Sequence, residues 1–380
     1  MAHFWETLPK PFFALAPMAD VTDPAFRRII AKYGKPDVTW TEFVSADGLS
    51  SPGREVLKRD LEYSEGERPI VAQLFSSHPE KMRQAAKLCA ELGFDGIDIN
   101  MGCPDRSIEK QGAGAAMIKT PEIAATIIQA VKDGIKDAGK DIPVSVKTRV
   151  GYNQIQIKEW IPFLLSQNIA ALTVHARTRK EMSKVPARWE HIKEVVEIRN
   201  KLGVKTKIIG NGDVHDVTHG KALAEETGCD GIMIGRAIFG NPWLFADLKS
   251  GSLRSAEIAP AKSLAQDGRS EQSNFLARKY AWFLRVLFRS EEDAHDAHKY
   301  WLKVKSPVVV RQRLEVLIEH TNLFMKLLGD IKNFAIMKKH YKAYVNGFDG
   351  AKELRMKLMD AQNEREVKEI VDNFLLEKKL

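Results

Sequence analysis

The 380-residue chain holds only three cysteines, Cys89, Cys103 and Cys229. They are too few and too scattered for a disulfide framework or a paired metal-ligand spacing. No apolar run approaches the roughly 20 residues that cross a bilayer. The opening Met1 to Pro11 lacks the basic-then-apolar order of a secretory signal. These absences predict a protein of the reducing cytoplasm, with no membrane span and no metal. No GxGxxG follows the first apolar run, which disfavours an open doubly wound dinucleotide sheet. Nor is there a large excess of charge of one sign: the net charge is +8 and the composition is that of an ordinary globular chain.

That small excess is unevenly placed. Residues 251–380 carry 24 Lys and Arg against 18 Asp and Glu, and between Lys299 and Tyr344 there are 10 basic and 3 acidic residues. Clustered basic character attracts polyanions such as nucleic acid. The plainer reading is a solvated helical surface.

Eight short apolar runs rich in β-branched residues punctuate the first 250 residues: Phe12 to Pro17, Val38 to Val44, Ile70 to Leu74, Gly96 to Asn100, Val144 to Thr148, Ala171 to His175, Lys207 to Gly210 and Gly231 to Gly235. Stretches of helical spacing lie between them, among them Pro79 to Leu92, Pro121 to Ile135, Ile192 to Leu202 and Val214 to Glu226. Strand then helix, eight times over, predicts a closed (β/α)8 TIM barrel whose eighth helix ends near Asp247. A linker or surface loop is expected from Ser250, and a helical stretch from Phe275 to Phe288. From Val308 the pattern predicts a small α-helical C-terminal domain, with Gly329 ending one helix and Asn333 to Val345 forming another.

Each apolar run ends in residues suited to chemistry: Pro17 and Met18, Glu42, Gln73, Asn100 and Cys103, Lys147 and Arg149, His175 and Arg177, Asn211 and Asp213, Gly235 and Arg236. Barrel enzymes gather their active sites at these carboxyl ends. The turns at Asn211, Gly212, Asp213 and at Gly235, Arg236 follow the seventh and eighth runs, where barrels commonly bind a phosphate on backbone N–H groups. Alternatively those glycines only make tight turns. Lys147 offers a cation to an electron-rich ring system and His175 an imidazole, needs that a flavin has. Cys103 sits among close-set glycines, where an accessible thiol can donate a proton or attack. Cys89 and Cys229 read as core residues.

With those residues in place, the sequence resembles the tRNA-dihydrouridine synthase family. The matching stretches, in family order, are Ala16-Pro17-Met18-Ala19-Asp20-Val21-Thr22-Asp23, Val71-Ala72-Gln73-Leu74-Phe75, Asp98-Ile99-Asn100-Met101-Gly102-Cys103-Pro104, Val146-Lys147-Thr148-Arg149, His175-Ala176-Arg177-Thr178, Gly210-Asn211-Gly212-Asp213-Val214 and Gly235-Arg236-Ala237. Asn333-Phe334-Ala335 to Met337-Lys338-Lys339-His340 and Gly350-Ala351 to Leu354-Arg355 resemble the family's helical end. The sequence departs from the family at Met182, Ser183 and Ala187-Arg188-Trp189, where a Tyr, a Gly and Ala-Asp-Trp are usual, and in a longer join between domains.

The resemblance implies FMN at the barrel mouth, reduced by NADPH, passing hydride to C6 of a uracil in tRNA while Cys103 protonates C5. It assigns Pro17, Met18, Gln73, Lys147 and His175 to the flavin rings. Asn211, Gly212, Asp213, Gly235 and Arg236 fall to the ribityl phosphate, Asn100 and Arg177 to the uracil, and Thr178, Lys338 and Lys339 to the tRNA. The expected division is a catalytic barrel over residues 1–249, a linker or inserted helical segment over 250–306 and a helical tRNA-binding domain over 307–380, acting as a monomer. In the inserted segment, Trp282, Arg285, Arg289, Tyr300, Trp301 and Lys303 are expected to pack as an extra helical hairpin. Two rivals are a flavin-dependent barrel oxidoreductase acting on a free pyrimidine or other small molecule, and a tRNA-binding protein that has lost catalysis.

Overall fold

The computed structural model describes residues 3–248 and 307–380. Its strands are β1 (Phe12–Leu15), β2 (Thr39–Ser45), β3 (Ile70–Phe75), β4 (Gly96–Met101), β5 (Val144–Arg149), β6 (Ala171–His175), β7 (Lys207–Asn211) and β8 (Gly231–Ile234). All pair in parallel, in the order 1-8-7-6-5-4-3-2. A bridge between Ala14 and Val38 joins the two ends, with Leu15 N–H donating to Val38 O at 3.1 Å. The sheet is therefore closed, as the TIM barrel expected from the sequence requires.

Every residue of β1, β3, β4 and β8 is buried. Helices cover the outer face and side chains fill the inner one, so these strands read as continuous apolar runs. Inside, Phe12, Ala14, Trp40, Val71, Ile209 and Met233 form one cluster with Trp5. The Trp5 ring lies 5.6 Å from Phe12 and 5.9 Å from Trp40, so the N-terminal turn Phe4–Glu6 packs against the barrel interior.

The helices that follow the strands open as local chemistry dictates. Proline occupies the first helical position of α1 (Pro24–Tyr33), α4 (Pro79–Glu91) and α6 (Pro121–Asp137), where its missing N–H costs nothing. Two short helices, α2 (Ala46–Leu49) and α3 (Arg54–Asp60), follow β2, and α5 (Arg106–Lys110) follows β4. The outer layer continues through α7 (Ile157–Ser166), α8 (Glu190–Leu202) and α9 (Val217–Thr227). One expectation fails. After β8 the described residues hold only the 3-10 turns Arg236–Ile238 and Ala246–Leu248, because Gly240, Asn241 and Pro242 interrupt the run that was to be an eighth helix.

The chain divides into two compact units. One comprises residues up to Lys249 together with Leu323–Asn333, and the other Ser250–Asn322 with Phe334–Leu380. Among the described residues of the second are most of α10 (Pro307–Leu328), then α11 (Met337–Tyr344), α12 (Ala351–Asp360) and α13 (Glu364–Glu377). Leu314, Leu317, Tyr341, Leu354, Leu358, Val367 and Val371 are buried there, and the rings of His320 and His340 meet edge to face at 4.7 Å. The expected helix Phe275 to Phe288 and the basic and aromatic residues of the 250–306 segment lie outside the described residues.

Candidate active site

Two chains of hydrogen bonds organise the carboxyl ends of the strands. The first starts inside the barrel at Asp98, which is fully buried. Its Oδ1 accepts from Ser145 Oγ at 2.6 Å and its Oδ2 from Gln73 Nε2 at 2.6 Å. An ionised carboxylate only accepts, so Gln73 must turn its amide N–H downward and its Oε1 toward the mouth. That oxygen accepts from Asn100 Nδ2 at 3.1 Å. Asn100 Oδ1 then accepts the backbone N–H groups of Gly102 and Cys103, at 3.1 and 2.9 Å. A buried carboxylate thus sets the position of the cysteine loop. Burial pushes the Asp98 carboxyl up to about 6, with the bonds from Ser145 and Gln73 opposing.

The same loop is braced from the side. Arg149, buried at the end of β5, donates Nε–H to Gly102 O at 2.7 Å and uses one terminal nitrogen on Thr178 O (3.2 Å) and Met182 O (3.3 Å). Behind Cys103, its carbonyl accepts Ala115 N–H at 2.9 Å. Gly114 makes this possible: at φ +62 it lies where a Cβ would stand 2.8 Å from Cys103 O. The thiol itself is half-buried. Burial pushes it above the ordinary cysteine range, opposed by a hydrogen bond from the Asp105 backbone and by the charges of Lys147 and Arg149. At neutral pH the sulfur keeps its proton.

The second chain runs across β6, β7 and β8. Arg177, 2% exposed, donates to His175 at 3.0 Å, to Val185 O at 2.6 Å and to Asp213. Asp213 also accepts Ala187 N–H at 2.9 Å and pairs with Arg236 at 2.7 Å. Burial acts to raise the Asp213 carboxyl, but the Arg177 bond, the Ala187 N–H and the two guanidinium charges hold it below the usual range. His175 is kept neutral, first by burial and then by the cations Arg149, Lys147, Arg177 and Arg236. Gly212 passes close above it: at φ +129, a Cβ there would lie 3.2 Å from the imidazole and 2.8 Å from Ala187. Asn211 Nδ2 donates to Met233 O at 2.8 Å, tying β7 to β8.

Lys147 sits opposite Asn100 in the β4–β5 register and opposite Thr173 in β5–β6. No hydrogen bond or ion pair of its ammonium group is found among the described residues. Burial pushes it down to about 8, with Arg149 adding to the shift and Asp98 and Cys103 opposing it. Across the mouth, Met18 Sδ lies 3.7 Å from where a Cβ on Gly235 would stand. The half-buried Pro17 and Met18 thus border the Gly235 turn.

The structure therefore brings together Pro17, Met18, Gln73, Asn100, Cys103, Lys147, His175, Arg177, Thr178, Asn211, Gly212, Asp213, Gly235 and Arg236 at one end of the barrel. Lys338 and Lys339 belong to α11, in the other compact unit. Reasoning from sequence missed the bracing roles of Asp98, Ser145 and Arg149. The signal was present, since the two-residue period of a strand puts Asp98 on the face of Asn100 and Ser145 on that of Lys147. A Lys-lined cleft of about 1010 Å³, including Lys132, Lys136, Lys140, Lys205 and Lys207, opens at the opposite ends of β5, β6 and β7 and takes no part in this arrangement.

Comparison with known proteins identifies the family. Residues 14–281 match the model of the family described as Dihydrouridine synthase (Dus). A protein named as a probable tRNA-dihydrouridine synthase from Staphylococcus aureus (strain COL) is 36% identical over 375 residues, covering 98% of this chain and 95% of its own. This chain belongs to the dihydrouridine synthase family. It is accordingly an oxidoreductase. A second member of this synthase family, named probable tRNA-dihydrouridine synthase 2, from Bacillus subtilis (strain 168), is 41% identical over 318 residues, covering 82% of this chain and 96% of its own. Among solved structures, a 2-naphthoyl-CoA reductase complex overlaps 62% of this synthase and 49% of its own chain, at a TM-score of 0.47 and 11% identity, a likeness too low to bear on function.

Proposed function

We propose that this synthase reduces the C5=C6 bond of a D-loop uridine in tRNA to 5,6-dihydrouridine, using FMN at the barrel mouth and NADPH as electron donor. The observation that carries the reading is the protonated, half-buried Cys103 thiol, held by Asn100 beside the buried Lys147 ammonium at the strand ends.

The residues present suit FMN. Lys147 offers a desolvated cation with no hydrogen bond or ion pair among the described residues, and His175 a neutral imidazole. A Cβ at Gly235 would stand in van der Waals contact with Ala16 Cβ at 3.6 Å and Met18 Sδ at 3.7 Å, so this turn borders the loop that carries Pro17 and Met18. Gln73, Pro17 and Met18 would border the ring system, and Asn211, Gly212, Gly235 and Arg236 the phosphate end. Asp213 is itself an anion and would serve a phosphate only indirectly, by holding Arg236. When bound there, reduced flavin supplies the hydride for uracil C6.

The chain's own residues provide the rest. The Cys103 thiol delivers its proton to C5, on the face presented by the loop, and the resulting thiolate stands near the Lys147 and Arg149 charges until it is reprotonated. Asn100 keeps one amide N–H beyond the bond to Gln73, and Arg177 two N–H groups beyond its three bonds, for the carbonyl edge of the uracil. Thr178, Lys338 and Lys339 would contact the tRNA, the lysines by phosphate pairing. The target base must leave its stack to reach a half-buried sulfur.

The test is to incubate FMN-loaded protein with NADPH and unmodified tRNA, then to analyse RNA fragments by mass spectrometry. A two-hydrogen gain confined to one uridine-bearing fragment supports the reading. A yellow protein that oxidises NADPH but leaves the RNA unchanged would point instead to a reductase of small molecules.

A further inference from the structure

Lys332 comes from a stretch that the sequence places in the helical C-terminal region, yet Leu323–Asn333 belongs to the compact unit of the barrel. Its ammonium pairs with Glu42 at 2.8 Å and Asp60 at 2.7 Å. Glu42 lies midway along β2, where the pairing with β3 shifts register between Trp40 and Phe43, and is 5% exposed, and the Lys332 side chain is 13% exposed. The other oxygen of Glu42 accepts the backbone N–H of Asp20. Asp20 is a non-glycine residue at φ +51, an uncommon conformation that this bond helps to hold. It lies two residues after Met18, whose N–H is fixed by Thr22 Oγ1 at 3.0 Å. The stretch carrying Lys332 is itself anchored, because Arg59 pairs with Asp330 at 3.2 Å and donates to Leu327 O.

We infer that Lys332 is a positioning residue for the active site: by pairing with Glu42 it fixes the carboxyl group that holds Asp20, and so sets the loop that presents Pro17 and Met18 beside the Gly235 turn. A buried carboxylate whose cation is removed is strongly disfavoured, and the loop it holds loses its anchor. A segment from beyond residue 320 thus acts on the flavin pocket through Glu42 and Asp20, and residues 1–249 alone lack this support. This inference rests on the flavin reading above.

The experiment uses the full chain and reads FMN affinity by quenching of flavin fluorescence. Lys332→Met is expected to weaken FMN binding at least about tenfold, and Lys332→Arg to restore it to within about threefold, since the charge and its bonds return. Glu42→Leu, which removes the acceptor of Asp20 N–H, is expected to weaken FMN binding to a similar extent. In a Glu42→Gln background, Lys332→Met should cost much less than in the native one, which a merely additive loss of stability would not produce. Wild-type affinity in Lys332→Met or in Glu42→Leu, or equal losses in both backgrounds, would overturn the inference. A wild-type protein that itself fails to bind FMN would overturn the flavin reading.

Discussion

Arg177 donates a guanidinium N–H to Nε2 of His175 at 3.0 Å, which places the proton of the neutral imidazole on Nδ1. The guanidinium, fixed in turn by Asp213 and Val185 O, keeps a cation beside a ring that burial already holds neutral. His175 therefore enters the site as a neutral hydrogen-bonding group with Nδ1–H to offer, not as an acid.

Buried neutral histidines also carry a pH signature. Burial holds His175 and His340 well below the ordinary range and pushes His320 down to about 3. Below an unfolded value of 6.5 the unfolded chain takes up protons that the native chain refuses, so stability falls as pH drops and is recovered as it rises. For His320 the loss amounts to about 1.4 kcal/mol per pH unit within that window. Urea unfolding of wild type and His320→Asn between about pH 7 and about pH 5 should show a shallower decline in the variant. Parallel declines would contradict this account of His320.

Lys147 gives a second pH dependence, of opposite direction. Burial pushes its ammonium down to about 8, so the free site is cationic below that value and loses its charge above it. FMN affinity should fall as pH rises through about 8. Lys147→Gln should bind more weakly at about pH 7, by roughly tenfold, and show no such fall. A wild-type affinity that is flat across this range would remove the Lys147 charge from cofactor binding.

Asp98 has no direct path to a substrate, yet its loss should be felt at Cys103. Asp98→Leu leaves the Gln73 N–H and Ser145 O–H buried without their acceptor, at a cost of about 1–3 kcal/mol. It also frees Gln73 to rotate and so releases Asn100 from the cysteine loop. Turnover should drop while the KM for tRNA is unchanged. A variant with lower stability but native turnover would limit Asp98 to a role in folding.

Much of this was legible in the sequence, and the reasons are physical. Strands buried on both faces leave continuous apolar runs, so all eight were found within a residue or two of their ends, from Phe12 to Gly235. Each run closes on a polar residue because its end leaves the apolar layers at the barrel mouth, which made the clustering of Gln73, Asn100, Lys147 and His175 visible. The eighth helix was overread, since Gly240, Asn241 and Pro242 outweigh the apolar residues around them. The bond from Lys332 to Glu42 spans 290 residues of sequence, and no local period or motif records such a pairing. Asp98 was passed over for a different reason: inside an apolar strand it looks like a fragment of a motif, and only its bonds to Ser145 and Gln73 reveal what it holds.

In the proposed reaction Cys103 supplies the proton that completes uridine reduction. The measurement that tests it most directly is a single turnover: FMN-loaded protein is reduced, freed of excess NADPH and mixed anaerobically with unmodified tRNA, while the visible absorbance of oxidised flavin is followed. Wild-type protein should be reoxidised by the RNA with one dihydrouridine formed per flavin, whereas Cys103→Ala, equally loaded and equally reducible, should be slower by about 100-fold or more. Reoxidation of Cys103→Ala at the wild-type rate would contradict the account.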